Sequence, residues 1–167
     1  MKAENEAILG LSGLLALLVP VTFYTTETPL LAGLFSLASL GIYRYCDRKM
    51  AMSSLTDLDE LKSLYVQKGI EAIILLTAVA SPVVDKNVAV SVLLLVFVSE
   101  TIREEAEAVS KTVLTSYAGF EIRAAVLGIG MVFQSVASYS LFYALVLVGV
   151  LTVYELGRTT HISLENI

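Results

Sequence analysis

The sequence predicts an all-α integral membrane protein: six short transmembrane helices forming three hairpins, plus an amphipathic cytoplasmic linker helix. Three observations predict this class. First, the 167-residue chain is 56% hydrophobic and only 16% charged, with a mean hydropathy of +0.78, too apolar for a soluble domain of this size. Second, its apolar residues run almost unbroken through 14–19, 92–98 and 145–150, without the alternation of a β-barrel. Third, short polar turns and charged junctions alternate along the chain at intervals suited to hairpins.

The first span is expected at residues 8–24, with Pro20 bending or ending its last turn. Lys2, Glu4 and Glu6 precede it and no small-residue cleavage site follows, so this stretch reads as a retained span rather than a signal. After the turn at 25–29, residues 30–45 return, carrying Ala32, Gly33, Ser36 and Ser39 for close helix contact. Arg44, Arg48 and Lys49 then mark a cytoplasmic junction.

Residues 54–65 read as a separate surface helix. Ser53, Ser54 and Thr56 are candidate caps, acidic residues fill the first turn, and Leu55, Leu58, Leu61 and Leu64 form one apolar stripe. Spans three and four are expected at 69–84 and 88–102, turning near Ser81 and Pro82. Helix four should continue into the cytosol over 103–114, because this segment holds helix formers and no breaker. Spans five and six follow at 122–138 and 141–156, with a frayed polar tail. A four-span form, in which hairpin two is re-entrant, is the alternative.

Charge placement sets the orientation. With the N-terminus inside, Lys2, Arg44, Arg48, Lys49, Lys62, Lys68, Arg103, Lys111, Arg123 and Arg158 are cytoplasmic, and only Lys86 is outside. The positive-inside rule therefore places both termini in the cytoplasm of a cell (plasma or inner) membrane. Tyr24, Tyr43, Tyr45, Tyr117, Tyr139 and Tyr154 lie near span ends, as an aromatic belt requires.

The hairpins carry traces of a triplicated unit. Glu6 and Glu71 each precede Ala-Ile, Glu121 follows Gly-Phe as Glu71 follows Gly-Ile, and Glu100 and Glu155 each stand three residues before an arginine. Convergent composition at helix ends is the competing account.

Helix geometry then singles out a constellation. Glu71 lies 14 residues before Asp85 and Glu100 lies 15 after it; Glu121 and Glu155 flank Ser138 at 17 residues each. At about 1.5 Å per residue, the first pair stands ~20 Å from its turn and the second ~25 Å. In a hydrocarbon layer of about 30 Å the Glu71/Glu100 pair is inside the membrane edge. Buried carboxylates need a partner, a proton or water, and two that meet would share a proton or hold a cation. Arg103 is the expected partner of Glu100 at i,i+3, and Arg123 that of Glu121 or Glu155. Glu104, Glu107 and Lys111 extend the Glu100 face toward the cytosol. The candidate pathway or headgroup site is therefore Glu71, Glu100, Arg103, Glu104, Glu121, Arg123, Glu155 and Arg158; the simpler reading makes them interfacial anchors.

Other chemistries have no residues to carry them. His161 is the one histidine and Cys46 the one cysteine, which excludes bis-histidine haem, multi-histidine zinc and an internal disulfide within one chain. No nucleophile elbow or phosphate-binding glycine loop occurs. Around Asp57, Asp59 and Glu60 the glycines of a lipid-headgroup phosphotransferase signature are missing. A net charge of −5 gives no reason to expect nucleic acid, and no cofactor is implied. The expected function is a small transporter or channel-like protein handling protons, cations or a small solute at its cytoplasmic mouth. The alternatives are a non-catalytic subunit or scaffold, as a homo-oligomer or with a membrane partner, and an enzyme acting on lipid headgroups. Lysine is absent from mid-span positions, which argues against a Schiff base.

Overall fold

A computed structural model describes residues 2–51, 57–110 and 119–165. Among the described residues the chain is all-helical: α1 (Lys2–Tyr24), α2 (Pro29–Ala51), α3 (Asp57–Val79), α4 (Lys86–Ser110), α5 (Phe120–Gln134) and α6 (Ser140–Glu165). By length and composition, two helices among the described residues are apolar enough to cross a membrane, Glu4–Tyr24 and Ser140–Ile162.

The three short turns, 25–28, 80–85 and 135–139, gather at one end of the bundle. Tyr24 Oη donates to Thr77 O at 2.7 Å there, and Asp85 caps α4 by accepting from the backbone N–H of Asn87 and Val88. The opposite, terminal end is tied by Lys49–Glu4 at 2.9 Å and Lys62–Glu6 at 2.6 Å. Tyr43 belongs to that tie as well. It is buried, bonds to Gln67 at 3.0 Å and meets Phe120 edge-on, so it is a core residue and not a member of the expected aromatic belt. Tyr117 lies outside the described residues.

Packing follows the small residues. α1 rests on α2 and α3, α2 on α5, and α6 on both α5 and α4. At the α2–α5 crossing a Cβ on Gly33 would stand 2.6 Å from Gly128 O and from the Val132 backbone nitrogen. Only glycine lets these backbones approach so closely. Ser39 Oγ donates to Ser12 O at 2.7 Å, joining α2 to α1. Around these contacts lie Ile70, Ile74, Leu127, Met131, Leu145 and Val148, all fully buried. The three pairs do not pack alike: α3 and α4 splay apart, and α3 leans instead on α1 and α5.

Several expected boundaries are corrected. The segment 57–65 is not a separate helix but the first turns of α3, which runs unbroken to Val79; residues 54–56 of that expected helix lie outside the described residues. Gly69 costs only about 1 kcal/mol in a helix interior and has open space around it, so nothing stops the helix there. At the far end of α1 the expected boundary holds: the helix closes at Tyr24, with Pro20 inside it. The tail is helical through Glu165, with Thr160 Oγ1 bonding back to Leu156 O. α5 is shorter than expected. It gives way to turns after Gln134, whose side chain binds Ser138 O and the Leu141 N–H. The expected extension of α4 continues to Ser110, and 111–114 lie outside the described residues.

Candidate functional site

Arg123 organises the site. It sits in the first turns of α5, 2% exposed, where α5 crosses α3. Its Nη2 lies 2.5 Å from Glu71 Oε1 on α3 and 2.6 Å from Glu100 Oε1 on α4, and its Nε donates to Glu71 Oε1 at 2.7 Å. One guanidinium therefore links three helices, a use suited to its planar fork of donors.

The second oxygen of Glu100 serves two more cations. Lys68 Nζ donates to Oε2 at 2.7 Å and Arg103 Nη2 at 2.8 Å. Beyond them, Lys68 reaches Glu104 at 3.4 Å and Arg103 reaches Glu107 at 4.0 Å. Two largely enclosed carboxylates thus face three cations, and Glu104, 63% exposed, and Glu107 lie on the outer side of the set. Arg103 Nε is buried with no hydrogen-bond partner among the described residues.

Of the residues expected at the site, Glu71, Glu100, Arg103, Glu104 and Arg123 come together. Arg103 pairs with Glu100 at i,i+3 as the spacing predicts. Arg123 does not serve Glu121, which pairs with Arg44 at 2.7 Å on another face. Glu155 is buried on α6, and Arg158 lines a shallow depression with Tyr154, Gly157 and His161. Lys111 lies outside the described residues. Sequence reasoning missed Lys68 as a site residue. Its signal was present, since it stands three residues before Glu71 and so on the same helix face.

No match to a known protein carries the reading further. The chain matches no protein-family model, and comparisons with curated proteins and with solved structures found no match.

The splay of α3 from α4 opens a groove of about 500 Å³ directly beside this network. Lys68, Glu71, Glu100 and Glu104 supply its polar side, and Leu61, Leu64, Tyr65, Ala72, Leu75 and Phe97 its apolar walls. Phe97, Tyr65 and Leu61 are exposed. Among the described residues no group of three or more His, Cys, Asp or Glu side chains is arranged to hold a metal ion. What the arrangement offers chemically is a fixed set of charges at one point of an otherwise greasy cleft. That combination suits a ligand with both a polar and an apolar part.

Proposed function

We propose that the protein is a six-span membrane protein that binds a membrane amphiphile in the α3–α4 groove, its polar head against Lys68 and Glu100 and its chain along Leu75 and Phe97. The observation that carries this reading is the groove itself, apolar-walled and charged beside a buried three-helix ion network.

The six-span arrangement is supported by the surface. Large apolar side chains are exposed on every helix, among them Leu14, Leu34, Leu76, Leu94, Ile129 and Val150, far more than a water-facing monomer carries. In that setting both termini, Arg44, Lys68, Arg103 and Arg123 lie toward the cytoplasm and the three turns toward the other side. The groove would then open sideways near the cytoplasmic headgroup layer, where lipid heads and chains meet. Transport of protons or cations has weaker support. A cation drawn to Glu71 and Glu100 would compete with Arg123, Lys68 and Arg103, which already neutralise them.

The chain contains no tryptophan, so Phe97→Trp places a single fluorophore on the groove wall. In vesicles containing brominated lipids of different headgroups, quenching should saturate at low mole fraction for the preferred head. Lys68→Ala should remove that preference. Quenching that merely follows the bulk fraction of brominated lipid, whatever its head, would overturn the proposal.

A further inference from the structure

A second site lies at the turn end, remote from the ion network. Phe23, Tyr24, Glu27, Pro29, Ser81, Pro82, Val83 and Gln134 enclose a pocket of about 280 Å³, room for roughly nine molecules at the ~30 Å³ each that water takes up in the liquid. Three of its features bear on what it could hold.

Glu27 is the one charged residue of the lining. It stands in the tight α1–α2 turn in the left-handed region, with φ 50°, a conformation that β-carbon-bearing residues seldom adopt. No described cation pairs with it. Ser81 is 4% exposed and its Oγ is buried without a hydrogen-bond partner among the described residues, a loss that costs stability unless a ligand or water satisfies it. The aromatic wall is rigid. Tyr24 is held by its hydroxyl on Thr77 O, and its ring meets Phe23 edge-on with centroids 5.1 Å apart.

The other polar group is already spent. Gln134 donates to Ser138 O at 2.6 Å and accepts from the Leu141 N–H at 3.2 Å and Ser140 Oγ at 3.4 Å. What remains is a carboxylate, a hydroxyl free to accept, and aromatic and proline surface. Carboxylate and aromatic faces both attract cations, and a free acceptor selects a cation that carries N–H.

We infer that this pocket binds a small protonated primary or secondary amine. Its charge lies against Glu27, one N–H is donated to Ser81 Oγ, and its carbon body rests on Tyr24, Phe23, Pro29 and Pro82. Asp85 and Lys86 are the other charged residues near this end; Asp85 caps α4 and neither lines the pocket, so Glu27 is the charge a ligand meets.

The test is calorimetric titration of the purified full-length protein in detergent micelles with propylamine hydrochloride, and separately with tetramethylammonium chloride, at neutral pH. Propylamine should bind saturably. Glu27→Gln, on an exposed turn that leaves the bundle untouched, should weaken it by at least about tenfold, and Glu27→Lys should abolish it. Ser81→Ala should weaken propylamine by about threefold or more while leaving tetramethylammonium, which has no N–H, unchanged. The inference is overturned if propylamine shows no saturable binding up to about 10 mM, if Glu27→Gln binds it as tightly as the parent, or if Ser81→Ala affects both cations alike. None of these results bears on the α3–α4 groove.

Discussion

Replacing Arg123 with methionine is the sharpest perturbation of the ion network. Methionine keeps much of the side-chain length and all of the apolar packing while deleting the charge. Arg123 is 2% exposed and makes contacts of 2.5 and 2.6 Å to carboxylates on two other helices. Its removal leaves Glu71 and Glu100 close together with one shared counter-charge gone. Breaking a buried pair on one side costs about 3–5 kcal/mol, mainly because the partner charge is stranded. Glu100 keeps Lys68 and Arg103, so most of the penalty falls on Glu71. The assay is reversible unfolding in mixed micelles, followed by circular dichroism as the fraction of denaturing detergent rises. Arg123→Met should lose about 3 kcal/mol or more, and adding Glu71→Gln should return at least ~1 kcal/mol by removing the stranded charge. A loss below ~1 kcal/mol, or no recovery in the double variant, would refute the view that this network locks α3, α4 and α5 together.

Other expectations follow from single contacts. Gly33→Ala should destabilise by about 1–3 kcal/mol through overpacking against Val132 and Gly128, whereas Gly10→Ala, with open space around it, should be neutral or stabilising by up to ~1 kcal/mol; thermal unfolding of the two variants should separate them. The hydrogen bond to Glu6 raises the Lys62 amine above its ordinary 10.5, so this tie between α1 and α3 is present below the ordinary lysine value and lost as pH climbs through the raised one; an NMR titration of Lys62 should have its midpoint above 10.5, and a midpoint at or below it would remove the ion pair. With Cys46 replaced by alanine, single cysteines at Ser138 and Arg158 should label from opposite sides of a sealed vesicle, and labelling from the same side would exclude the proposed orientation.

How legible the molecule was differs with the kind of interaction. The turns stood out because Pro29, Ser81 with Pro82, and the serines around Ala137 break both helix and hydropathy there. The terminal ends of the helices outrun their hydropathy, since a loss of hydropathy marks where apolar surface ends and not where a helix ends. Residues 2–7, 46–51 and 157–165 stay helical because nothing in them stops a helix. Depth could be counted along each hairpin, and it brought Glu71 and Glu100 to the same level. The direction in which each helix turns that level could not be counted. The sequence sets Arg123 near Glu121 in the chain and near Glu155 in depth, but the packing of α5 on α3 turns it to Glu71 and Glu100. Lys68 shows the complementary error: a residue tallied for its charge was one helical turn from the site. The splay of α3 and α4, which makes the groove, depends on α3 packing against α1 and α5 and α4 packing against α6, and it leaves no local trace.

The measurement closest to the central claim is native mass spectrometry of the protein released from lipid nanodiscs. Ala72 is small and exposed on the groove wall, so Ala72→Trp fills the groove without entering the core. The parent should retain one lipid of a preferred headgroup class through detergent exchange, and Ala72→Trp should lose it while its helical content stays unchanged. Equal retention by a folded Ala72→Trp protein would contradict the assignment of the α3–α4 groove as an amphiphile site.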